Sequence, residues 1–174
     1  MPGEIRAASF ADLYRAHAGE VYRYALYLSG DSALAQDITS ETFLRVWVVD
    51  QPARLESVRS WFFVIARNVY RHEWRHLRRK ASLNPAMPAA DAVAVSVEER
   101  ETLANAFAAM RSLPEVDRSA LLLRIVEGFP YKKIAATLHI SLAAAKVKVH
   151  RARLRLISQR VQGVPNECIG RRHS

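Results

Sequence analysis

Near the end of the chain, the segment from Lys146 to Arg155 is rich in basic residues, and apolar residues fall along one narrow edge. The basic residues are Lys146, Lys148, His150, Arg151, Arg153 and Arg155. The apolar edge recurs at three- and four-residue steps, which predicts a helix that buries Ala145, Val149, Ala152 and Leu156. No acidic residue occurs between Ile140 and Arg160. A helix with one apolar edge and an otherwise cationic surface is suited to binding a polyanion.

A shorter helix precedes the cationic one and is predicted to pair with it. Pro130 favours a first helical turn, and His139 stands at a turn where a left-handed backbone is needed. Ser141 is placed to cap the next helix. This spacing predicts a helix-turn-helix that binds DNA. A solvated surface, an anionic membrane surface and a protein partner remain alternatives for any basic helix.

A second basic surface is predicted over residues 57–80. On a helix, one stripe takes in Phe63, Arg67, Tyr70, Trp74 and Arg78, with Arg71 and Arg75 beside it. The residues predicted to seal the core are Trp61, Ile65, Val69 and His72. Aromatic rings between guanidinium groups fit unstacked bases, and each stacked base contributes about 1–3 kcal/mol. The alternative is that the rings of the stripe are core aromatics.

The segment from residue 31 to residue 47 carries a mild negative charge, so it makes a poor DNA surface. Its polar residues include Asp37, Ser40, Glu41 and Arg45. Phe43 and Trp47 are four residues apart, which places both rings on one side of a helix. Core packing is the default for both rings, and a docking surface for a protein partner is the alternative.

Helical periodicity runs through residues 8–80 and 97–160, and no segment shows the period-two pattern of a strand. Gly30 and Asp31 should end the first helix, and Asp31 or Ser32 should cap a second that runs to about Val48. Further helices are predicted from about Ser57 to Arg79, from Val97 to Arg111 and from Pro114 to Gly128. Residues 81–97 contain two prolines and many small residues, which is a linker composition.

The predicted fold is all-α, with two small helical domains joined by a flexible linker and a helix-turn-helix in the second. The first domain takes residues 1–80, the linker residues 81–97 and the second domain residues 98–162. Residues 163–174 are predicted to form a disordered tail.

Composition narrows the classes of function. The net charge is +9, the pI is near 10.2, and 21 of the 26 cations are Arg, which binds phosphate bidentately. Cys168 is the only cysteine, so a disulfide framework is excluded and a reducing compartment is favoured. Neither a signal peptide nor a membrane span is evident, so a cytoplasmic protein without membrane insertion is expected. No catalytic residue, metal site or cofactor site is predicted, which argues against an enzyme.

Taken in order, these segments resemble a bacterial RNA polymerase sigma factor of the extracytoplasmic-function (ECF) group. AQDITSETFLRVW is similar to the core-polymerase-binding helix of that family, and SWFFVIARNVYRHEWRHLRRK to its promoter-melting helix. The segment from SLPEVDRS to VKVHRARLRL resembles the −35-binding domain. The resemblance covers about residues 8–160. It implies a specificity subunit that directs core RNA polymerase to promoter DNA, with an anti-sigma factor as a further partner.

The resemblance also implies roles for individual residues. Docking on core polymerase would fall to Asp37, Glu41, Phe43 and Trp47. The melted −10 strand would be held by the loop from Asp50 to Ser60 and by Trp61, Arg67, Asn68, Tyr70, Arg71, Trp74, Arg75 and Arg78. The −35 duplex would be bound by Lys146, Lys148, His150, Arg151 and Arg153. The linker would thread toward the active-centre channel of the polymerase.

The chain departs from the family pattern at three places. Ser40 stands where Gln is frequent, and His139 replaces the usual turn glycine. The run from Ala144 to Lys148 replaces a G-T-V-K-S-R-like run, so Val147 lacks a hydroxyl that often lies on the DNA side. An unusual base preference, or greater dependence on phosphate contacts and groove shape, is therefore expected.

Two other functions remain open on the sequence alone. A free-standing helix-turn-helix repressor or activator would bind duplex DNA as a dimer without polymerase. A regulatory protein of sigma-like fold would bind partners and never melt DNA.

Overall fold

The computed structural model describes residues 2–48, 58–81 and 97–162. Within those ranges the chain forms seven helices and no strand. The helices are α1 (Pro2–Ser29), α2 (Ser32–Val48), α3 (Val58–Ala81), α4 (Val97–Ser112), α5 (Glu115–Ile125), α6 (Tyr131–Leu138) and α7 (Leu142–Gln162). The all-α prediction is confirmed. The predicted tail and nearly all of the predicted linker lie outside the described residues, as does Cys168.

Short-range signals in the sequence set several helix boundaries. Gly30 has a φ of 71° after α1, and the Asp31 carboxylate accepts a hydrogen bond from the Leu34 N–H at 3.0 Å to cap α2. His139 has a φ of 54° and a ψ of 48° after α6, the left-handed conformation predicted for it. Ser141 Oγ accepts from the Ala144 N–H at 3.1 Å, which caps α7.

Helix α5 ends earlier than predicted, at Ile125, three residues before Gly128. Gly128 has a φ of 69°, and this left-handed conformation lets the Phe129 N–H donate to the Leu123 carbonyl oxygen at 2.8 Å.

The first three helices form one core, built around aromatic rings. Phe43 of α2 lies between α1 and α3, with ring centroids 4.7 Å from Tyr14 and 4.9 Å from Phe62. Val21, Leu28 and other apolar residues of α1 are fully buried in the same core. Burying rings of this size stabilises the three-helix unit, because each removes a large apolar area from water.

Helices α4 to α7 form the second half. Leu123 of α5, Ile134 of α6 and Val149 of α7 are fully buried where the three helices meet. The pairing of α6 with α7 across the tight turn at His139 is the predicted helix-turn-helix. In this arrangement α7 is packed against the protein along one edge, formed by Ala145, Val149 and Ala152.

The two halves pack against each other: α1 contacts α4 and α5, and α3 contacts α6. Phe63 of α3 meets Phe129 edge-on, with ring centroids 5.4 Å apart. Tyr24 Oη donates to Ser119 Oγ at 3.1 Å, and the Arg118 guanidinium donates to the Leu28 carbonyl oxygen. The predicted pair of domains is therefore joined by a buried interface as well as by the chain.

Candidate nucleic-acid and polymerase interfaces

The cationic helix predicted near the C-terminus is α7, and its apolar edge faces inward as expected. Ala145, Val149 and Ala152 are fully buried and Leu156 packs against the core. Most of the predicted −35-binding side chains are exposed, namely Lys146, His150, Arg151 and Arg153. Arg155, from the same basic segment, is exposed as well. Lys148 is half-buried.

Asp117 of α5 is a buried acid that the sequence reading did not single out. Arg151 donates to its two carboxylate oxygens at 2.6 Å and 2.8 Å, and Lys148 Nζ lies 3.4 Å from one of them. Burial alone would raise the pKa of the Asp117 carboxyl, but the bonds and charge of Arg151 outweigh burial and hold that pKa below its ordinary value. Two of the five predicted −35-binding residues are thus fixed in position from within the protein.

The aromatic and arginine stripe of α3 is largely covered by the second half of the molecule. Phe63 and Tyr70 are buried, and Arg67 is only 7% exposed. The Arg67 guanidinium donates to both carboxylate oxygens of Glu115, at 2.7 Å and 2.9 Å. In this structure the same ring-and-guanidinium pattern serves the contact between the two halves, and the binding of these residues to unstacked bases stays a prediction.

The rest of the predicted −10 set divides between surface and core. Asn68, Arg71, Arg75 and Arg78 are exposed. Trp74 is half-buried and stacks on Tyr70, with centroids 6.1 Å apart and planes 23° apart. Trp61 is buried, as predicted for the core, whereas His72 is exposed instead of sealing the core. The residues from Asp50 to Ser57 in the predicted −10 loop lie outside the described residues.

Glu127, just after α5, forms a second acidic centre that sequence reasoning missed. Its side chain is fully buried and accepts from Arg59 at 2.7 Å and from Arg23 at 3.2 Å. Arg59 also donates to Glu20 at 2.9 Å. The sequence does carry a hint of these acidic centres, because the basic stretch from Leu113 to Arg160 holds only three acids, Glu115, Asp117 and Glu127. In the structure each of the three is bonded to an arginine.

The outward side of α2 combines acids with apolar side chains. Asp37 is exposed, and Glu41 accepts from Arg45 at 2.7 Å. Leu44 and Val48 are 60% and 76% exposed, one turn apart, and Trp47 beside them is 38% exposed while touching Phe10. Phe43, the fourth residue predicted for polymerase docking, is 2% exposed and supports the helix from inside.

Both halves of the chain match known sequence families. Sigma-70 region 2 matches residues 13–80, and Sigma-70 region 4 matches residues 104–156. The ECF RNA polymerase sigma factor SigL of Mycobacterium tuberculosis is 33% identical over 157 residues, which cover 84% of this chain and 85% of SigL. The chain belongs to the ECF RNA polymerase sigma factors. The family predicted from the sequence motifs is confirmed.

Other relatives of this sigma factor span different lengths. SigM of Bacillus subtilis is 29% identical over 90% of this chain and 98% of its own length. SigE of Mycolicibacterium smegmatis is 34% identical over 85% of this chain, which spans 60% of SigE.

Solved structures share the fold. RpoE of Bartonella quintana, crystallised with the anti-sigma factor NepR, superposes with a TM-score of 0.70 at 21% identity over 90% of this sigma factor and 99% of that chain. CnrH, in complex with the cytosolic domain of CnrY, gives a TM-score of 0.71 at 20% identity over 91% of both chains. None of the described helices of the sigma factor is long and apolar enough to cross a membrane.

The ion pair between region 2 and region 4 makes the stability of the sigma factor depend on pH. Burial would raise the pKa of Glu115, but its bonds to Arg67 leave that pKa below the ordinary 4.5. A carboxyl whose pKa is depressed by folding stabilises the fold above its unfolded pKa and loses that effect as pH falls through the folded value. We expect the free energy of unfolding to fall below about pH 4.5, and to fall less steeply in Glu115→Gln. Urea unfolding between pH 3 and 7 measures this, and parallel profiles for the two proteins would contradict it.

Proposed function

We propose that this sigma factor initiates transcription by docking on core RNA polymerase through α2, holding the melted −10 strand through α3 and binding the −35 duplex through α7. The single observation that carries the proposal is the set of exposed cations on the outward surface of α7, a helix fixed by one buried edge in a helix-turn-helix. The sigma factor supplies positioning, and the polymerase supplies the catalytic centre. On this proposal the chain is not an enzyme and acts in the cytoplasm, where the polymerase is.

The −35 role rests on which cations of α7 are exposed and how they are held. Lys146 and Arg153 project into solvent, whereas Arg151 and Lys148 are anchored on Asp117. An anchored guanidinium loses less conformational entropy when it binds a phosphate or a guanine edge. Asp117 thereby acts as a positioning residue for the promoter contacts of Arg151.

The −10 role requires the two halves of the molecule to separate in part. Asn68, Arg71 and Arg75 are exposed and can meet the DNA backbone directly. Arg67 and Tyr70 are buried against region 4, so they contact DNA only after the Glu115 pair has broken. Trp74 lies at the border, stacked on Tyr70 with part of its surface open, which suits it to receive a base.

The docking role of α2 rests on its exposed apolar side chains. Among the described residues of region 2, Leu44 and Val48 are the most exposed large apolar side chains, and they adjoin the acids Asp37 and Glu41. An apolar patch with acidic neighbours suits a partner that offers apolar contacts and basic side chains. An anti-sigma factor is a further proposed partner, because the structural relatives RpoE and CnrH were both solved as complexes, RpoE with the anti-sigma factor NepR.

The decisive experiment is transcription with purified sigma factor, core RNA polymerase and fragmented genomic DNA of its source, read out by sequencing transcript 5′ ends. We expect start sites that are absent with core polymerase alone and that share sequence near −10 and −35. The matched control is the chain lacking residues 1–80, which should give no such start sites. Absence of sigma-dependent starts, together with failure to co-elute with core polymerase, would replace this function with that of a free-standing DNA-binding regulator.

A further inference from the structure

Exposed apolar side chains lie along the outermost side of α7 between its cations, with the exposed His150 among them. Val147 is 59% exposed and Leu154, two turns later, is 53% exposed; Ala143, one turn earlier, is exposed too. Val147 is two residues from both Ala145 and Val149, which are fully buried, and a two-residue step on a helix is a rotation of about 200°. Val147 therefore points away from the protein along the middle of the outward surface.

Cations flank this line of side chains on both sides. Lys146 and Arg153 lie on one side, and Lys148 and Arg151, both held by Asp117, lie on the other. A helix that lies in the major groove meets a phosphate strand along each edge and the base edges in between. Two cationic edges with Val147, His150 and Leu154 at the centre match that arrangement, because charge falls where the phosphates run and these central side chains fall over the bases.

Val147 lies close enough to the start of α7 to reach the bases. It is the sixth residue of the helix, and recognition helices contact base edges with their N-terminal residues. A valine side chain neither donates nor accepts a hydrogen bond. The characteristic apolar group that base pairs present in the major groove is the C5 methyl of thymine, so contact with that methyl is the most favourable interaction open to Val147 there.

We propose that Val147 selects a thymine in the −35 element by packing against its C5 methyl group, an inference that rests on the −35 role proposed for α7. Removing one methyl from such a contact should weaken binding about fourfold. The preference is for thymine over cytosine, the other pyrimidine, which presents a polar amine and lacks the methyl.

The test begins with holoenzyme and a promoter fragment whose −35 region is randomised. Wild-type sigma factor should enrich a −35 sequence with thymine at one position, and Val147→Ala should lose the preference at that position alone. Ile157→Ala is the matched control: Ile157 is 60% exposed on the same helix but lies about 15 Å further along the axis, so this variant should keep the preference.

Methyl-specific substitution then isolates the contact. In the enriched sequence, deoxyuridine in place of that thymine removes the methyl and leaves every hydrogen-bonding group in place. The change should weaken wild-type binding about fourfold and leave Val147→Ala binding unaltered. An equal cost in both proteins, or no cost in either, would overturn the role of Val147 while the enriched −35 sequence still supported α7 as reader. Failure of the wild type to enrich any −35 sequence would reject the proposed role of α7 itself, and the inference with it.

Discussion

Replacing Arg67 with methionine should lower the free energy of unfolding by about 2–3 kcal/mol, because it breaks an ion pair that joins the two halves of the molecule. The substitution leaves the Glu115 carboxylate between the two halves without the bidentate partner that now lies 2.7 Å and 2.9 Å away. A partly buried charge that has lost its partner costs several kcal/mol, and the 22% exposure of Glu115 places this case at the low end. Urea unfolding at pH 7 measures the change.

Two further variants separate the ion pair from the loss of a long side chain. The double variant Arg67→Met with Glu115→Leu removes both charges together and should recover most of the lost stability, since apolar packing replaces a buried pair at little cost. Arg78→Met, at an exposed position of the same helix, should change the free energy of unfolding by less than about 0.5 kcal/mol. If Arg67→Met cost no more than Arg78→Met, the pair would not hold the halves together.

Leu44→Asp should weaken binding to core RNA polymerase about 30-fold, or about 2 kcal/mol, without unfolding the protein. Leu44 is 60% exposed at the centre of the outward side of α2, so its loss leaves no cavity. Side chains at the centre of an interface carry a large share of the binding energy, and a carboxylate placed where the apolar contacts are proposed to lie must be desolvated. Fluorescence anisotropy of labelled sigma factor titrated with core polymerase gives the dissociation constant.

Gln36→Asp, on the same helix, is the control for the effect of the added negative charge alone. Gln36 is exposed but lies to the flank of the outward side, and the substitution adds the same negative charge. Its dissociation constant should stay within about twofold of the wild type. If both variants lost the same affinity for core polymerase, an added negative charge anywhere on α2 would explain the loss. Leu44 would then have no special role in the contact.

Features set by neighbouring residues were predictable from the sequence. The left-handed turn at His139, the caps at Asp31 and Ser141 and the inward edge of α7 each depend on residues within about one helical turn. Local backbone and capping preferences are strong enough there to fix the geometry without tertiary context. The sequence alone was therefore enough to place the helix-turn-helix and the cations on its second helix.

The covering of α3 was not predictable, because it depends on partners far along the chain. Arg67 binds an acid 48 residues away and Arg59 binds one 68 residues away, and helical periodicity carries no information about such pairs. Periodicity correctly grouped Phe63, Arg67 and Tyr70 on one stripe. It gave no means of telling whether bases or another helix would lie on that stripe, since rings and guanidinium groups suit both.

The acids that hold these arginines also act as built-in counterions. A protein cation that binds a DNA phosphate in free solution displaces a mobile salt ion, and that release makes binding weaken steeply with salt. At Arg67 a DNA phosphate would have to displace the Glu115 carboxylate, which is tethered to the same chain and lies 2.9 Å from the guanidinium. The phosphate still releases its condensed salt cation, but the carboxylate is left without its partner. A promoter contact by Arg67 should therefore add to the salt dependence of binding while contributing less affinity than the contact of an exposed cation.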